Sequence, residues 1–223
     1  MRGRLLEVAG SDNAFLLRGP PTAIGPGRSC SSVLGFVDQA MPASDPNRLS
    51  PFASRGLLQV IVETPAGSRN KFAWDAERGI FHLRKTLPAG MVFPYDFGFV
   101  PQTRAPDGDP LDVLLLMDQP AFPGCLVTAR LLGVIEGEQM ENGKAVRNDR
   151  LVAVAEATHE YARIRRLADL PKKWTDELQQ FFVNYSRLEG REYRLLGRKG
   201  SAAALRLVQQ ASAGQVRSAR GDT

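Results

Sequence analysis

Three carboxylates fall within six residues, Asp107-Gly108-Asp109-Pro110-Leu111-Asp112, directly before the apolar run Val113-Leu114-Leu115-Leu116-Met117. Such a run reads as a buried strand, so the negative charge is concentrated where hydration is about to be lost. Carboxylates gathered there either take up a proton or recruit a cation, and a divalent ion offers the larger compensation. Gly108 and Pro110 bend the chain tightly enough for sequence neighbours to aim at one point. Asp, Gly and Pro also make plain surface turns, but a surface turn needs no third Asp at the mouth of a strand. A calcium loop of the EF-hand kind wants glycine at its sixth position and glutamate at its twelfth, where this stretch has Asp112 and Asp118. The pattern reads as an oxygen-ligand site for magnesium, with manganese as the other choice; both keep several waters and reach phosphates through them.

Around this motif the chain alternates short β-type runs with turns. Leu58 to Glu63 is a β-branched run closed by Thr64-Pro65, and Glu63 ends it where an acidic side chain is ordinarily solvated but could equally face a metal cluster. Lys71 to Trp74 and Ile80 to Lys85 read as a hairpin joined through Asp75 to Gly79. Met91 to Val100 is dense in aromatics, and Pro94 marks it as an interrupted or edge segment. Cys125 to Glu136 reads as a long strand bent at Gly133, with a turn at Glu141 to Lys144 and a return strand from Arg150 to Ala155.

Helix enters late. Asp169-Leu170-Pro171 is a start signal with Asp able to cap, and Trp174, Leu178, Phe181, Phe182, Tyr185 and Leu188 follow on one helical face until Gly190. Tyr193 to Leu196 reads as a last short strand, Ser201 to Gln210 as a short helix, and Ser212 to Thr223 as a frayed tail. The expected fold is mainly β with flanking α: a five-stranded barrel of the OB type with one major C-terminal helix and a shorter one.

Composition sets the borders. Residues 1–56 are rich in Gly, Pro, Ser and Arg with scattered apolar pairs, and are expected to be a poorly ordered extension. A targeting segment or a start codon placed too far upstream would explain it equally well, and its removal is expected to leave activity intact. Residues 57–200 form the one domain, and residues 201–223 the short helix and tail. The net charge of +5 is no nucleic-acid footprint, because residues 57–200 carry 20 basic against 19 acidic side chains. Two cysteines and two histidines provide neither a zinc-ligand set nor a disulfide framework, which fits a reducing, cytoplasmic setting. No stretch approaches the roughly 18 apolar residues of a membrane span.

The ordered motifs resemble those of the soluble, magnesium-dependent inorganic pyrophosphatases. That family's signature Asp-x-Asp-Pro-x-Asp followed by an apolar residue matches Asp107 through Val113. Glu63-Thr64-Pro65, Lys71, Phe93-Pro94, Phe97-Gly98-Phe99, Phe122-Pro123-Gly124, Gly133-Val134, Arg150 to Val154 and Phe181 to Tyr185 follow in the family's order and near its spacing. Together they cover about residues 57–198. The resemblance implies hydrolysis of inorganic pyrophosphate to two phosphates. It implies Asp107 and Asp112 as metal ligands, Glu63 in the outer metal shell, Asp109 as the base, and Lys71, Lys85, Arg150 and Tyr185 as phosphate contacts. It also implies a homo-oligomer, by analogy a hexamer, with no nucleic acid or membrane partner.

Several positions depart from that pattern. Ala73 stands where the family commonly has a second glutamate, and Lys85 where it has an arginine. Phe93 and Phe97 replace two tyrosines, and Ser186 replaces a lysine. Gln139 and Asn148 align with two aspartates; Asp149, one residue on, is the replacement metal ligand expected from sequence. These changes thin the periphery and leave the three central aspartates intact, which predicts weaker metal occupancy and slower or more magnesium-demanding turnover. Two rival readings follow: a pyrophosphatase-like binder of metal or phosphate without efficient turnover, and an OB-type nucleic-acid module. The second conflicts with the acidic cluster, which would repel a phosphate backbone.

Overall fold

The computed structural model describes residues 45–141 and 143–218. The expected disordered extension lies outside the described residues up to position 44, as does the end of the tail after residue 218. Nine strands and two long helices follow: β1 Leu58–Thr64, β2 Asn70–Asp75, β3 Ile80–Thr86, β4 Asp96–Phe99, β5 Asp112–Leu116, β6 Leu126–Glu141, β7 Lys144–Arg147, β8 Arg150–Ala155, α1 Lys172–Leu188, β9 Tyr193–Gly200 and α2 Ser201–Ser218.

Five strands close a ring in the order β1-β4-β5-β8-β6, because β6 pairs back onto β1 through Leu58↔Ala129 to Ile61↔Leu126. All neighbours are antiparallel except β5 and β8. Strands β7 and β9 extend the sheet from β6, while β2 and β3 make a separate hairpin. The ring bears out the OB-like barrel expected from the many short strands. Gly98 shows how closely it is drawn: a Cβ there would lie 2.1 Å from the carbonyl oxygen of Ile61.

Alternation along the strands feeds two cores. On β5, Val113 and Leu115 join one with Val60, Val62, Leu151 and Ala153, and α2 covers it with Ala204, Val208 and Ala211. Leu114 and Leu116 join the other with Val152, Val154 and Phe97, and α1 covers it with Leu178 and Phe182. By the same period of two, Asp112 and Arg150 begin the α1-side faces of their strands.

Several sequence expectations are corrected. The segment around Pro94 is interrupted, as one of its two readings had it, with a strand only from Asp96, but it is no edge: β4 is buried throughout and lies between β1 and β5. Pro94 stands just outside it, so no ladder bond is lost. Helix α2 is the longer of the two and runs through Ser218, so the short helix and the frayed tail from Ser212 are replaced by one helix. Ala211 continues the buried stripe of Ala204 and Val208, and tertiary packing outweighs the weak propensity of Ser212 and Gly214. Asp169 caps no α-helix. Its Oδ2 accepts the N–H groups of Arg165 and Arg166, closing the short 3-10 turn Leu167–Asp169, and α1 starts after Pro171 without a side-chain cap. Leu188 is 56% exposed and leaves the apolar face.

The described chain also reaches further back than expected. Phe52 bridges to Leu58 and packs on the α2-side core, and the Gln59 N–H donates to the Pro51 carbonyl at 2.9 Å. Among the described residues, no helix is long and apolar enough to cross a membrane.

Candidate active site

The loop from β4 to β5 is tied at its base by Thr103, whose buried hydroxyl donates to the Val100 carbonyl at 2.6 Å and accepts the Leu111 N–H at 3.0 Å. Beyond that clamp, the Gly108 N–H donates to the Ala105 carbonyl at 3.0 Å, with Gly108 at φ +94°. The Ala105 N–H donates to the Asp109 carbonyl at 2.7 Å, and the Asp109 N–H donates to Asp107 Oδ1 at 3.2 Å. Backbone bonds thus set the loop while the carboxylates of Asp107 and Asp109 remain exposed to the cleft.

Asp107, Asp109 and Asp112 line one polar cavity of about 360 Å³ with Lys71, Lys85, Arg150 and Tyr185. Burial pushes the Asp112 carboxyl up to about 6, against the pull of Arg150 and Lys71 and with a further push from Asp107 and Asp109. Arg150 is buried, and its Nε lies 4.0 Å from Asp112 Oδ2 without a hydrogen bond of its own. Its guanidinium lies 4.0 Å from the Phe182 ring centroid and 4.8 Å from that of Tyr193, so aromatic faces fix its position. Gly137 makes room for this stack, since a Cβ there would meet the Tyr193 hydroxyl at 2.1 Å.

Two further cations, Lys71 and Lys85, come from the hairpin. Lys71 Nζ stands 5.3 Å from the Phe97 ring and 5.9 Å from the Tyr185 ring. Lys85 Nζ stands 4.4 Å from the Tyr185 ring and forms an ion pair with Glu189. Burial is the largest influence holding Lys85 below the ordinary lysine range; Glu189 opposes it and Lys71 adds to it. Burial likewise raises the Tyr185 phenol. Tyr185 is therefore both part of the apolar face of α1 and a wall of the cavity.

Glu63 is half-buried and faces a cavity, unlike an ordinary exposed strand end. Burial pushes its carboxyl up to about 7 against Lys71 and the Trp74 N–H, which donates to Glu63 Oε1 at 3.2 Å. It lines an adjoining cavity of about 250 Å³ with Ala73 and Trp74, and Lys71, Asp109 and Asp112 border both cavities. Asp149 is not brought to either. Its carboxylate pairs with Arg147 at 2.8 Å and accepts the Gly137 N–H at 3.0 Å, while Asn148 and Gln139 line the main cavity.

Sequence reasoning missed Arg84, Glu189 and Arg191, which also line the cavity. Strict alternation would turn Arg84 away from Lys85, but the pairing of β2 with β3 shifts between Lys71 and Phe72. Glu189 was hidden as a mere helix end before Gly190. His82 is exposed and is not among the residues lining the cavity.

The donors suit a hard cation. Among the described residues no three of His, Cys, Asp or Glu converge as a ready-made ligand cluster. Magnesium does not require one, since it is held by one or two carboxylates with water and substrate phosphate completing its shell. The raised carboxyls of Asp112 and Glu63 mark negative charge that the cationic wall leaves incompletely compensated.

Comparison with known proteins gives a consistent result. The family described as inorganic pyrophosphatase matches residues 60–214. An inorganic pyrophosphatase of Synechocystis sp. is 38% identical over 166 residues, 74% of this chain and 96% of the relative. One from Halalkalibacterium halodurans is 35% identical over 69% of this chain and 92% of its own length. Among solved structures, the inorganic pyrophosphatase of Thermus thermophilus superposes with a TM-score of 0.72 at 29% identity, covering 77% of this chain and 99% of that one.

Proposed function

The chain belongs to the inorganic pyrophosphatase family and hydrolyses pyrophosphate to two phosphates, and we propose that Asp109 is the base of that reaction. One observation carries the reading: an acceptor-only carboxylate, exposed to the cleft, lines the same polar cavity as the cations Lys71, Arg84, Lys85, Arg150 and Arg191, all suited to phosphate oxygens. Asp107, Asp112 and Glu63 would hold magnesium, or manganese, through oxygen alone. When bound, such an ion lowers the pKa of a coordinated water and neutralises phosphate charge.

Asp109 accepts the proton of the attacking water as its oxygen bonds to one phosphorus, and the bridging P–O bond breaks. The charge that gathers on the leaving phosphate meets Lys71, Lys85 and Arg150, with Tyr185 closing the wall. Arg150 is held between Asp112 and two aromatic rings, so its charge is in place before substrate arrives. Asp149 is not included in the ligand set, because its carboxylate is engaged by Arg147.

The catalytic unit proposed on residues 57–200 also draws on Phe52 and on α2, both of which pack on one of its cores. A homo-oligomer, by analogy a hexamer, in the cytoplasm completes the proposal, and light scattering on the purified chain tests the assembly. Phosphate release from pyrophosphate with magnesium, compared between the parent and Asp109→Asn, tests the base. The expected loss is at least about a hundredfold; a variant that retained near-parental turnover would remove Asp109 from the role.

A further inference from the structure

Lys85 reaches the cavity already paired. Its partner Glu189 lies 104 residues away in sequence, directly after α1, and both side chains are about three-quarters buried, with 27% and 23% of their surface exposed. Glu189 is firmly planted: its own N–H donates to the Ser186 carbonyl at 3.0 Å, and Gly190 at φ +69° turns the chain away. The ion pair joins the separate β2–β3 hairpin to the residue that ends α1, and both partners line the cavity.

A carboxylate oxygen on a lysine ammonium occupies the kind of position a phosphate oxygen would take. The same cavity holds Lys71, Arg84 and Arg150, so an arriving phosphate meets other cations while it competes for this one. Removing Glu189 would leave a partly desolvated ammonium without its carboxylate, which favours any anion that can replace it.

We propose that Glu189 is an internal competitor for phosphate: it holds Lys85 in the empty enzyme, yields it to substrate, and takes it back as product leaves. The proposal rests on Lys85 being a phosphate contact. Its consequence is that Glu189 weakens phosphate binding and speeds product release, and this makes it a positioning residue that acts through Lys85.

Calorimetric binding of inorganic phosphate and of imidodiphosphate, at fixed magnesium, tests this on the full chain. Four proteins are compared: the parent, Glu189→Gln, Lys85→Met and the double variant. Lys85→Met is expected to weaken both ligands about tenfold, and Glu189→Gln to tighten phosphate about three- to tenfold. That tightening should vanish in the Lys85→Met background. Glu189→Asp, one methylene shorter, should tighten phosphate in the same direction and serves if the Gln variant does not fold. Unchanged or weaker phosphate binding in the Glu189 variants, with the Lys85→Met loss intact, overturns the competitor. Parental affinity in Lys85→Met instead overturns Lys85 as a phosphate contact.

Discussion

Asp112 and Arg150 are register partners on the parallel strands β5 and β8, with Asp112 Oδ2 4.0 Å from Arg150 Nε. The one parallel pairing in the ring therefore sets an acidic and a basic strand start side by side at one end of the α1-side core. An antiparallel neighbour would have placed a strand end there instead. The separation is longer than a hydrogen bond, so the pair orients charge without saturating either group.

Arg150→Lys should show how much of this depends on shape. Lysine keeps the charge but loses the planar fork and the stack on Phe182 and Tyr193. Loss of a charge-assisted contact of roughly 1.5–3 kcal/mol corresponds to a fall of about 10- to 100-fold in kcat/KM. Steady-state kinetics checks this, and a thermal melt within a few degrees of the parent shows that the fold is retained.

In the metal-free protein, Asp112 and Glu63 should each withdraw stability as pH rises from about 4 to 7. Asp112 moves from an ordinary value of 3.8 to about 6 and Glu63 from 4.5 to about 7, in each case chiefly through burial. Across that window the folded chain binds more protons than the unfolded chain, so these two groups make unfolding easier with each step up in pH. Asp112→Asn and Glu63→Gln should each flatten the slope of denaturant-derived stability between those limits. Magnesium should reverse it, because metal binding requires the ionised carboxylates. A stability that rose through this window in the chelator-treated parent, and did not respond to either substitution, would contradict the assignment.

A chain starting at Leu57 should be less stable than one starting at Asp45. The shorter one loses the packing of Phe52 and the bonds Gln59 N–H to Pro51 and Ala53 N–H to Leu57. It also loses the Gln102 side-chain bond to the Arg48 carbonyl at 3.1 Å. Partial burial of one phenyl ring contributes about 1–2 kcal/mol, equivalent to roughly 2–8 °C in melting temperature at this size. Differential scanning calorimetry of the two chains decides it, and equal melting temperatures would restore the sequence-derived border at residue 56.

What could be read in advance follows from how local the determinants are. Strands β1, β3, β5 and β8 carry β-branched or alternating runs with turn residues at their ends, so their periods announce them. The Asp motif is legible because its three carboxylates fall within six residues. Glu189 was not legible, because its partner Lys85 lies on a distant hairpin and only tertiary structure joins them. The surroundings of Asp149 were hidden for a similar reason: sequence proximity to Asn148 says nothing about Arg147, which pairs with its carboxylate. The length of α2 depended on Ala204, Val208 and Ala211 finding a core, which composition alone does not reveal.

Ala73→Glu should change sign with metal. Ala73 is buried at 8% exposure on the wall of the smaller cavity, beside Glu63, where the resembling family commonly has a glutamate. Without metal, a second carboxylate there adds charge to a site whose Glu63 is already pushed up to about 7 by burial. The variant should then melt below the parent in chelator. With magnesium or manganese present, the added oxygen ligand lies where compensation is short, and the metal-induced rise in melting temperature should exceed the parent's. A tenfold gain in affinity corresponds to about 1.4 kcal/mol of added stabilisation at saturating metal. Thermal melts in chelator and across a metal titration read both halves. An equal metal-induced rise in the two proteins would mean that the smaller cavity is no part of the metal site, and that Glu63 serves only to anchor the Trp74 backbone.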